Sequence, residues 1–357
     1  MSGTSMDSID AVIVAITPNK IKLIETYAYP IDDELRKEIL SLCHPGENAI
    51  NRMGKLDVKL GRLFAQSVEA LLEKANLTPD DISAIGSHGQ NIRHMPEADI
   101  PFTLQIGDPN VIAATTGITT IADFRRRDVA LGGQGAPLTP AFHQFLFQRF
   151  EGMQWVLNIG GIANVTLIRP DMEIIGYDTG PGNTLLDAWY FQHTNQRYDN
   201  NGEWARSGSV NYQLLETLRH DPFFTKEPPK STGLEYFNLK WLMQHIKHFG
   251  EHIPSEDIQA TLTELTATTI ADNLNRYSAK YIWVCGGGAK NRHLMERLQS
   301  LCLTPILSTD AAGIPIDWIE ACAFAWLAYR TQHHAPSNIP SVTGASEASI
   351  LGAIYCA

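Results

Sequence analysis

The sequence predicts an α/β protein of two domains. Three observations carry that expectation. The chain has 357 residues, more than one ordinary core accommodates. Short β-branched runs alternate with amphipathic stretches of helical period, as in strands connected through helices. The architecture also repeats weakly: each half opens with strands joined by a turn of small residues, at 3–10 in the first half and at 158–166 in the second.

The elements follow in order. "SGTSMDSID" (2–10) crowds hydroxyl residues, a glycine and two aspartates ahead of the β-branched run Ala11 to Ile16. This predicts a ligand-gripping turn that leads into a strand, which "KLIETYAYP" (22–30) can pair. "DVKLGRLFAQSVEALLEKA" (57–75) carries apolar residues at three- and four-residue spacing and predicts a helix. "ISAIGSHGQ" (82–90) reads as a short buried strand ending in a polar loop, and "ITTIADF" (118–124) as another strand ending in charge. Ligands of open α/β sheets bind beyond the carboxyl ends of strands. "LGGQGAPLTP" (131–140), dense in Gly and Pro, predicts the domain junction. The expected division is 1–130, joined by the tail 343–357, and 131–342.

In the second half, "QWVLNIGGIANVTLI" (154–168) predicts two strands joined by a Gly-Gly turn, and "EIIGYDTGPGNTLLDAWYFQ" (173–192) a strand, a turn and a helix starting near Asn183. Residues 199–239 are polar and proline-rich and are expected to be irregular. Residues 260–277 predict an amphipathic helix, "KYIWVCGGGAKN" (280–291) a strand and glycine turn leading into the helix 292–301, and 317–330 a buried apolar helix. The tail "ASILGAIYCA" is apolar enough to dock.

Composition narrows the function. A net charge of -11 argues against nucleic-acid or membrane-surface binding, both of which need a basic face. The five cysteines are scattered and form no C-x-x-C, so neither a disulfide framework nor a zinc site is expected. No signal-peptide pattern opens the chain, and no apolar run approaches the roughly 18 residues of a membrane span. A cytoplasmic, reduced protein is expected.

Glycine turns let backbone N–H groups approach an anion closely. Three occur, "GTSMDS" (3–8), "IGGIAN" (159–164) and "CGGGAKN" (285–291), while G-x-x-x-x-G-K-[ST] and a complete strand-following G-x-G-x-x-G are absent. A single such turn is an ordinary tight connection; three in a two-domain chain point to a nucleotide held between domains. Asp178 ends a strand before "TGPGN", where an aspartate serves either as a general base or as a partner of the turn backbone. Asp187, one turn into the helix, reads as an N-terminal dipole partner. "GSHGQNIRH" offers His88, Gln90 and Arg93 to a hydroxylated ligand; Ser87 lies outside any G-x-S-x-G elbow. Arg125, Arg126 and Arg127 form either a solvated loop or a grip on a substrate carboxylate. Glu320 precedes nine uncharged residues, 321–329, and either caps that helix or faces a ligand.

These segments, with "TLQIGDP", "ADFRRRDVALGGQGAPLTP" and "DWIEACAFAWLA", resemble in order those of the anhydro-N-acetylmuramic acid kinases over essentially the whole chain. That family sits in the superfamily of actin, sugar kinases and heat-shock-protein-like ATPases. The resemblance implies a two-domain actin-like ATPase (ribonuclease H-like) fold with ATP and Mg²⁺ in an interdomain cleft. It implies ATP-dependent conversion of 1,6-anhydro-N-acetylmuramic acid and water to N-acetylmuramic acid 6-phosphate, in cell-wall recycling by a homodimer.

Carried onto this sequence, the resemblance implies Asp178 as the base that activates water. Gly3, Thr4, Ser5, Met6, Asp7, Ser8, Ile9 and Asp10 match the ATP-phosphate loop, with Asp7 a partner of hydrated Mg²⁺. Gly160, Gly161 and Asn164 match the second phosphate turn, and Gly286, Gly287, Gly288 and Asn291 the adenosine side. His88, Gln90, Arg125 and Glu320 are the sugar candidates, Arg125 for the lactyl carboxylate. Two departures stand out. Family members usually carry glycine at Ser8, so a reshaped or strained loop is expected there. They also carry a strand ahead of "MSGTS"; either it lies upstream of the given start, or the phosphate turn is held from one side only and grips ATP weakly. Two other classes stay open: an ATP-dependent conformational module, and a kinase for another amino sugar.

Overall fold

The computed structural model describes residues 1–3, 8–170, 172–228, 230–234, 236–250 and 252–357. It is an α/β protein of two compact units, Met1–Leu146 with Trp318–Ala357, and Phe147–Asp317. The units therefore divide at 146/147 and 317/318, not at 130/131 and 342/343. The Gly/Pro-rich segment is held inside the first unit by Asp128. This fully buried carboxylate accepts from Gly135 N (2.7 Å), Asn338 Nδ2 (2.7 Å) and Thr343 Oγ1 (2.8 Å).

In the first unit β1 (Ser8–Thr17) and β2 (Lys20–Pro30) form an antiparallel hairpin. The strand begins at Ser8, three residues before the β-branched run, because Ile9 alternates into the core while Ser8 and Asp10 bond each other (2.7 Å). α1 (Asp33–Leu42) starts where the Asp32 carboxylate accepts from Leu35 N (2.7 Å). α2 (Ala49–Ala75) buries Leu56, Leu60, Phe64 and Leu71, one stripe of helical period. β3 (Ile85–Gly86) is followed by an antiparallel pair, β4 (Gln90–Met95) and β5 (Phe102–Ile106). Its polar faces, with Asn91, Arg93 and Gln105, hide it from apolar patterning, and of its apolar residues only Ile92 and Ile106 are buried. α3 (Pro109–Thr116) leads to β6 (Thr120–Ala122), parallel to β3, and α4 (Thr139–Phe147) closes this stretch.

The second unit is built on a five-stranded sheet in the order Ile306–Ser308, Tyr281–Cys285, Gln154–Ile159, Ile162–Ile168, Ile175–Pro181. β7 (Gln154–Ile159), β8 (Ile162–Ile168) and β9 (Ile175–Pro181) run as an antiparallel meander. α5 (Thr184–Thr194) follows, and α6 (Tyr212–Arg219) interrupts the stretch expected to be irregular, burying Leu214, Leu215 and Leu218. α7 (Leu239–Phe249) and α8 (Ser255–Leu274) come next. α8 is buried on nearly every side, contributing Ile270 and Leu274 to the core under the sheet and Ile258 and Leu262 to a second core with α5, α6 and α7. β10 (Tyr281–Cys285), α9 (Arg292–Leu301) and β11 (Ile306–Ser308) complete the unit, β10 parallel to both neighbours.

The tail returns to the first unit. α10 (Ile319–Gln332) packs on β1 and β3, and β12 (Ala353–Tyr355) pairs antiparallel with β6. A cavity of about 820 Å³ lies among β1, α2, β3 and α10, with an aliphatic wall that includes Val12, Val14, Leu71 and Ala325. Among the described residues no helix is long and apolar enough to cross a membrane.

Candidate active site

In the second unit three turns meet at the carboxyl ends of β7 and β10. Gly160 and Gly161 turn β7 into β8. The Gly160 carbonyl accepts from Asn183 N (2.8 Å), and the Gly161 carbonyl from Gly182 N (2.8 Å) and Thr184 N (3.1 Å). The hairpin tip is thereby strapped to the first turn of α5. C=O and N–H of one peptide unit point to opposite sides, so the Gly161 N–H is turned away from α5. Gly182 permits the approach, since a Cβ there would stand 2.3 Å from the Gly160 carbonyl oxygen. Thr266 Oγ1 of α8 secures the same turn, donating to the carbonyls of Pro181 (3.2 Å) and Gly182 (3.1 Å).

The third turn leaves β10 through Gly286, whose φ of +84° suits glycine alone and whose Cβ would meet Asn158 Oδ1 at 2.3 Å. Gly288 is seated on Ile159 and Asn183, with a Cβ position 2.2 Å from Ile159 Cγ2. At Gly287 a Cβ would meet nothing within 4 Å, so the crest of this turn is open. Asn183 does stand at the N-cap of α5, yet its side chain makes no capping bond: Nδ2 donates to the Ile159 carbonyl (3.3 Å). The result is a rim of glycine backbone beside a helix start, which is chemistry suited to phosphate.

Beside this rim the register sets Cys285, Asn158, Asn164 and Asp178 in one row across β10, β7, β8 and β9. Residues opposite each other in a ladder share a face. Asn158, Asn164 and Asp178 are half-buried, whereas their neighbours along each strand are buried. A polar stripe therefore crosses the sheet and ends at Asp178. That carboxylate is fixed by a segment remote in sequence. Asp178 N donates to the Lys230 carbonyl (3.0 Å), and Thr232 N donates to Asp178 Oδ2 (2.9 Å). Lys230 anchors the segment. Its ammonium lies 4.9 Å from the centre of the Phe223 ring, and burial, then Arg276, holds its pKa below the usual lysine value.

The first unit assembles a second group. Arg125 Nε and Nη2 both point at His88 Nε2 (3.3 and 2.9 Å), and Nη1 donates to the Gly135 carbonyl (2.8 Å). Arginine only donates, so His88 Nε2 accepts and the ring proton belongs on Nδ1. Burial first, then the Arg125 charge, pushes the His88 pKa well below the histidine range. Burial lowers Arg125 to about 10, against the pull of Glu320 and Asp128, and leaves it a cation at neutral pH. The His88 ring packs 4.5 Å from Phe324 of α10. Among the described residues, His88 Nδ1 and Gln90 Oε1 are buried polar atoms with no hydrogen-bond partner. Such atoms are rare in folded proteins unless a ligand or water completes them.

The family whose model matches is described as anhydro-N-acetylmuramic acid kinase, and the match spans residues 1–357. A relative named anhydro-N-acetylmuramic acid kinase from Coxiella burnetii is 54% identical over 360 residues, covering 99% of this chain and 96% of the relative. One of the same name from Photobacterium profundum is 51% identical over 365 residues, covering 99% and 97%.

The chain belongs to the anhydro-N-acetylmuramic acid kinase family.

Solved structures are more distant from this family member. Component A of the (R)-2-hydroxyglutaryl-CoA dehydratase of Acidaminococcus fermentans is 13% identical with a TM-score of 0.42, covering 91% of this chain and 100% of that one. A ROK family glucokinase from Streptomyces griseus, in complex with glucose and AMPPNP, is 11% identical with a TM-score of 0.37, covering 90% and 99%.

Among the positions that the family resemblance singled out, Asp178, Asn164, Gly160, Gly161 and Gly286 to Gly288 come together in the second unit. Asn291 Oδ1 caps α9 instead, accepting from Leu294 N (3.0 Å). His88 and Arg125 touch in the first unit, within electrostatic reach of Glu320 in the first turn of α10, and Gln90 opens β4. Thr4, Ser5, Met6 and Asp7 lie outside the described residues. Ser8, Ile9 and Asp10 are strand residues, not loop, and Ile9 points into the core. Ser8 opens the strand opposite Pro30. The three arginines separate, Arg125 inward, Arg126 onto Asp123 (2.7 Å) and Arg127 towards Ser349 (3.3 Å). Sequence reading missed Asn158, Asp128 and the segment Lys230–Thr232. A polar residue interrupting the apolar run 155–159 was the available signal for Asn158; the other contacts join positions tens to hundreds of residues apart.

Proposed function

We propose that this family member uses ATP and water to convert 1,6-anhydro-N-acetylmuramic acid into N-acetylmuramic acid 6-phosphate, with Asp178 as the general base. The observation that carries the assignment is the placement of Asp178: a carboxylate fixed by the Thr232 N–H at the end of a polar stripe, beside the rim of glycine turns. Asp178 takes a proton from water as the water oxygen bonds the anomeric carbon. The anomeric C–O6 bond breaks, O6 bonds the γ-phosphorus, and the bond from that phosphorus to the β,γ-bridging oxygen breaks to release ADP. The proton passes from Asp178 to solvent. The step resembles inverting glycoside hydrolysis, with phosphorylation of O6 assisting its departure.

Phosphoryl transfer needs positioning and charge neutralisation. Gly160, Gly161 and Gly286 to Gly288 are assigned to the nucleotide. Mg²⁺ supplies charge neutralisation at the phosphates when bound. The family resemblance assigns the hydrated ion to Asp7, which lies outside the described residues, and Mg²⁺ would be held there through water. His88, Gln90, Arg125 and Glu320 are assigned to the sugar, which would complete His88 Nδ1 and Gln90 Oε1. The Nε/Nη2 edge of Arg125 is already directed at His88, so its part is a fixed positive charge for the lactyl carboxylate and not a two-pronged grip. The actin-like (ribonuclease H-like) arrangement with an interdomain nucleotide cleft, a homodimer and a cytoplasmic location belong to the same proposal.

Asp178→Asn tests it. With ATP, Mg²⁺ and the anhydro sugar, ADP release is expected to fall at least about 100-fold while the melting temperature holds. Unchanged turnover would remove Asp178 from the role, and ATP turnover indifferent to any amino sugar would make the protein a conformational module.

A further inference from the structure

The Thr232 hydroxyl is a buried polar atom that nothing in the reading above uses. We infer that Thr232 is a further residue of the reaction, its hydroxyl positioning the water that Asp178 activates. The inference rests on Asp178 being the base.

Three observations carry it. Thr232 N donates to Asp178 Oδ2 at 2.9 Å. N and Oγ1 of one threonine are within roughly 4 Å by covalent geometry, so the hydroxyl lies within about 7 Å of the carboxylate. Second, Thr232 Oγ1 is shielded from solvent and has no hydrogen-bond partner among the described residues. Buried hydroxyls are almost always paired, and an unpaired one in a native fold calls for a water or ligand that completes it. Threonines in loops commonly satisfy this group on the local backbone, and among the described residues Thr232 does not.

Third, the hydroxyl is held in place without bonds of its own. The Lys230 carbonyl bonds Asp178 N, the Lys230 ammonium rests over Phe223, and the Thr232 N–H bonds Asp178. The segment thus grips Asp178 through its backbone at Lys230 and Thr232, which leaves the threonine side chain available for another task. A hydroxyl donates and accepts at once. A water that offers one hydrogen to Asp178 and the other to Thr232 Oγ1 keeps an oxygen lone pair directed at the anomeric carbon. The carboxylate takes the first proton; the threonine takes none and fixes the angle of attack.

Thr232→Val removes the hydroxyl, keeps the shape and keeps the N–H that holds Asp178. Steady-state ADP release with the anhydro sugar is compared for wild type, Thr232→Val, Thr232→Ser and Asp178→Asn, with melting temperatures and both KM values. The valine variant is expected to lose about 10- to 100-fold in kcat, with the ATP KM and melting temperature unchanged. The serine variant is expected within about threefold of wild type. Wild-type kcat in the valine variant beside an inactive Asp178→Asn overturns this inference and leaves the base intact. An active Asp178→Asn overturns the base itself. A valine variant with a lowered melting temperature and a raised ATP KM, or a serine variant as impaired as valine, shows a structural role and also overturns it.

Discussion

Gly182→Ala probes how the proposed nucleotide rim is built. Gly182 has no positive φ, so the added methyl acts through space alone. Its Cβ would stand 2.3 Å from the Gly160 oxygen and 3.2 Å from Ala163 N, where ordinary contact begins near 3.4 Å. Both obstacles are backbone, so the hairpin tip and the start of α5 must part by about 1 Å. The straps Gly182 N to Gly161 O and Asn183 N to Gly160 O, each 2.8 Å, would then stretch beyond hydrogen-bond range. Overpacking costs about 1–3 kcal/mol, and each lost bond about 0.5–1.5 kcal/mol. These overlap, giving about 3 kcal/mol in all and a fall in melting temperature of about 6–12 °C for a domain of this size class. The same shift moves the Gly161 N–H off the position proposed for it at phosphate, and misplacement by about 1 Å costs up to about 100-fold in rate. Thermal unfolding and ADP-release kinetics read both. A variant that melts within about 1 °C of wild type with an unchanged ATP KM would refute the close strap as the support of the nucleotide rim.

Gly287→Ala is the contrasting case. Nothing surrounds its Cβ position and its φ is not positive, so stability should change by less than about 0.5 kcal/mol, whereas the ATP KM should rise if the crest receives the nucleotide. An ATP KM that does not move detaches this turn from the nucleotide. His143 supplies a pH test: it is 1% exposed, and burial lowers its pKa to about 3. The unfolded chain, with a histidine pKa near 6.5, binds that proton first, so stability is present above about pH 6.5 and is lost as pH falls. At pH 5 the loss is about 2 kcal/mol from this group. Denaturant midpoints of His143→Leu should decline less steeply than wild type between pH 6.5 and 5; equal slopes would show that His143 does not set this dependence.

How legible the molecule was depends on how far each signal reaches along the chain. Helical period marked 57–75 and 260–277 because their apolar faces are written in consecutive turns, and structure moves only the ends, to Ala49–Ala75 and Ser255–Leu274. The β4–β5 hairpin was missed because its burial is one-sided and polar residues interrupt it. The Gly/Pro-rich stretch at 131–140 looked like a junction, since local composition says nothing of the buried Asp128 that ties it to Asn338 and Thr343.

By itself the sequence determined the α/β class, the family, the glycine turns and a carboxylate at a strand end, all properties of short contiguous segments. Only the tertiary structure decided what those segments do together. Sheet register aligned Asn158, Asn164 and Asp178, residues whose pairing no local pattern encodes. A hydrogen bond across 54 positions brought Thr232 to Asp178. Burial beside His88 turned Arg125 from an exposed arginine into an inward charge with its forked edge engaged. Local propensity is set by neighbours in the chain, whereas register, burial and long-range hydrogen bonds are set by which distant surfaces exclude water together.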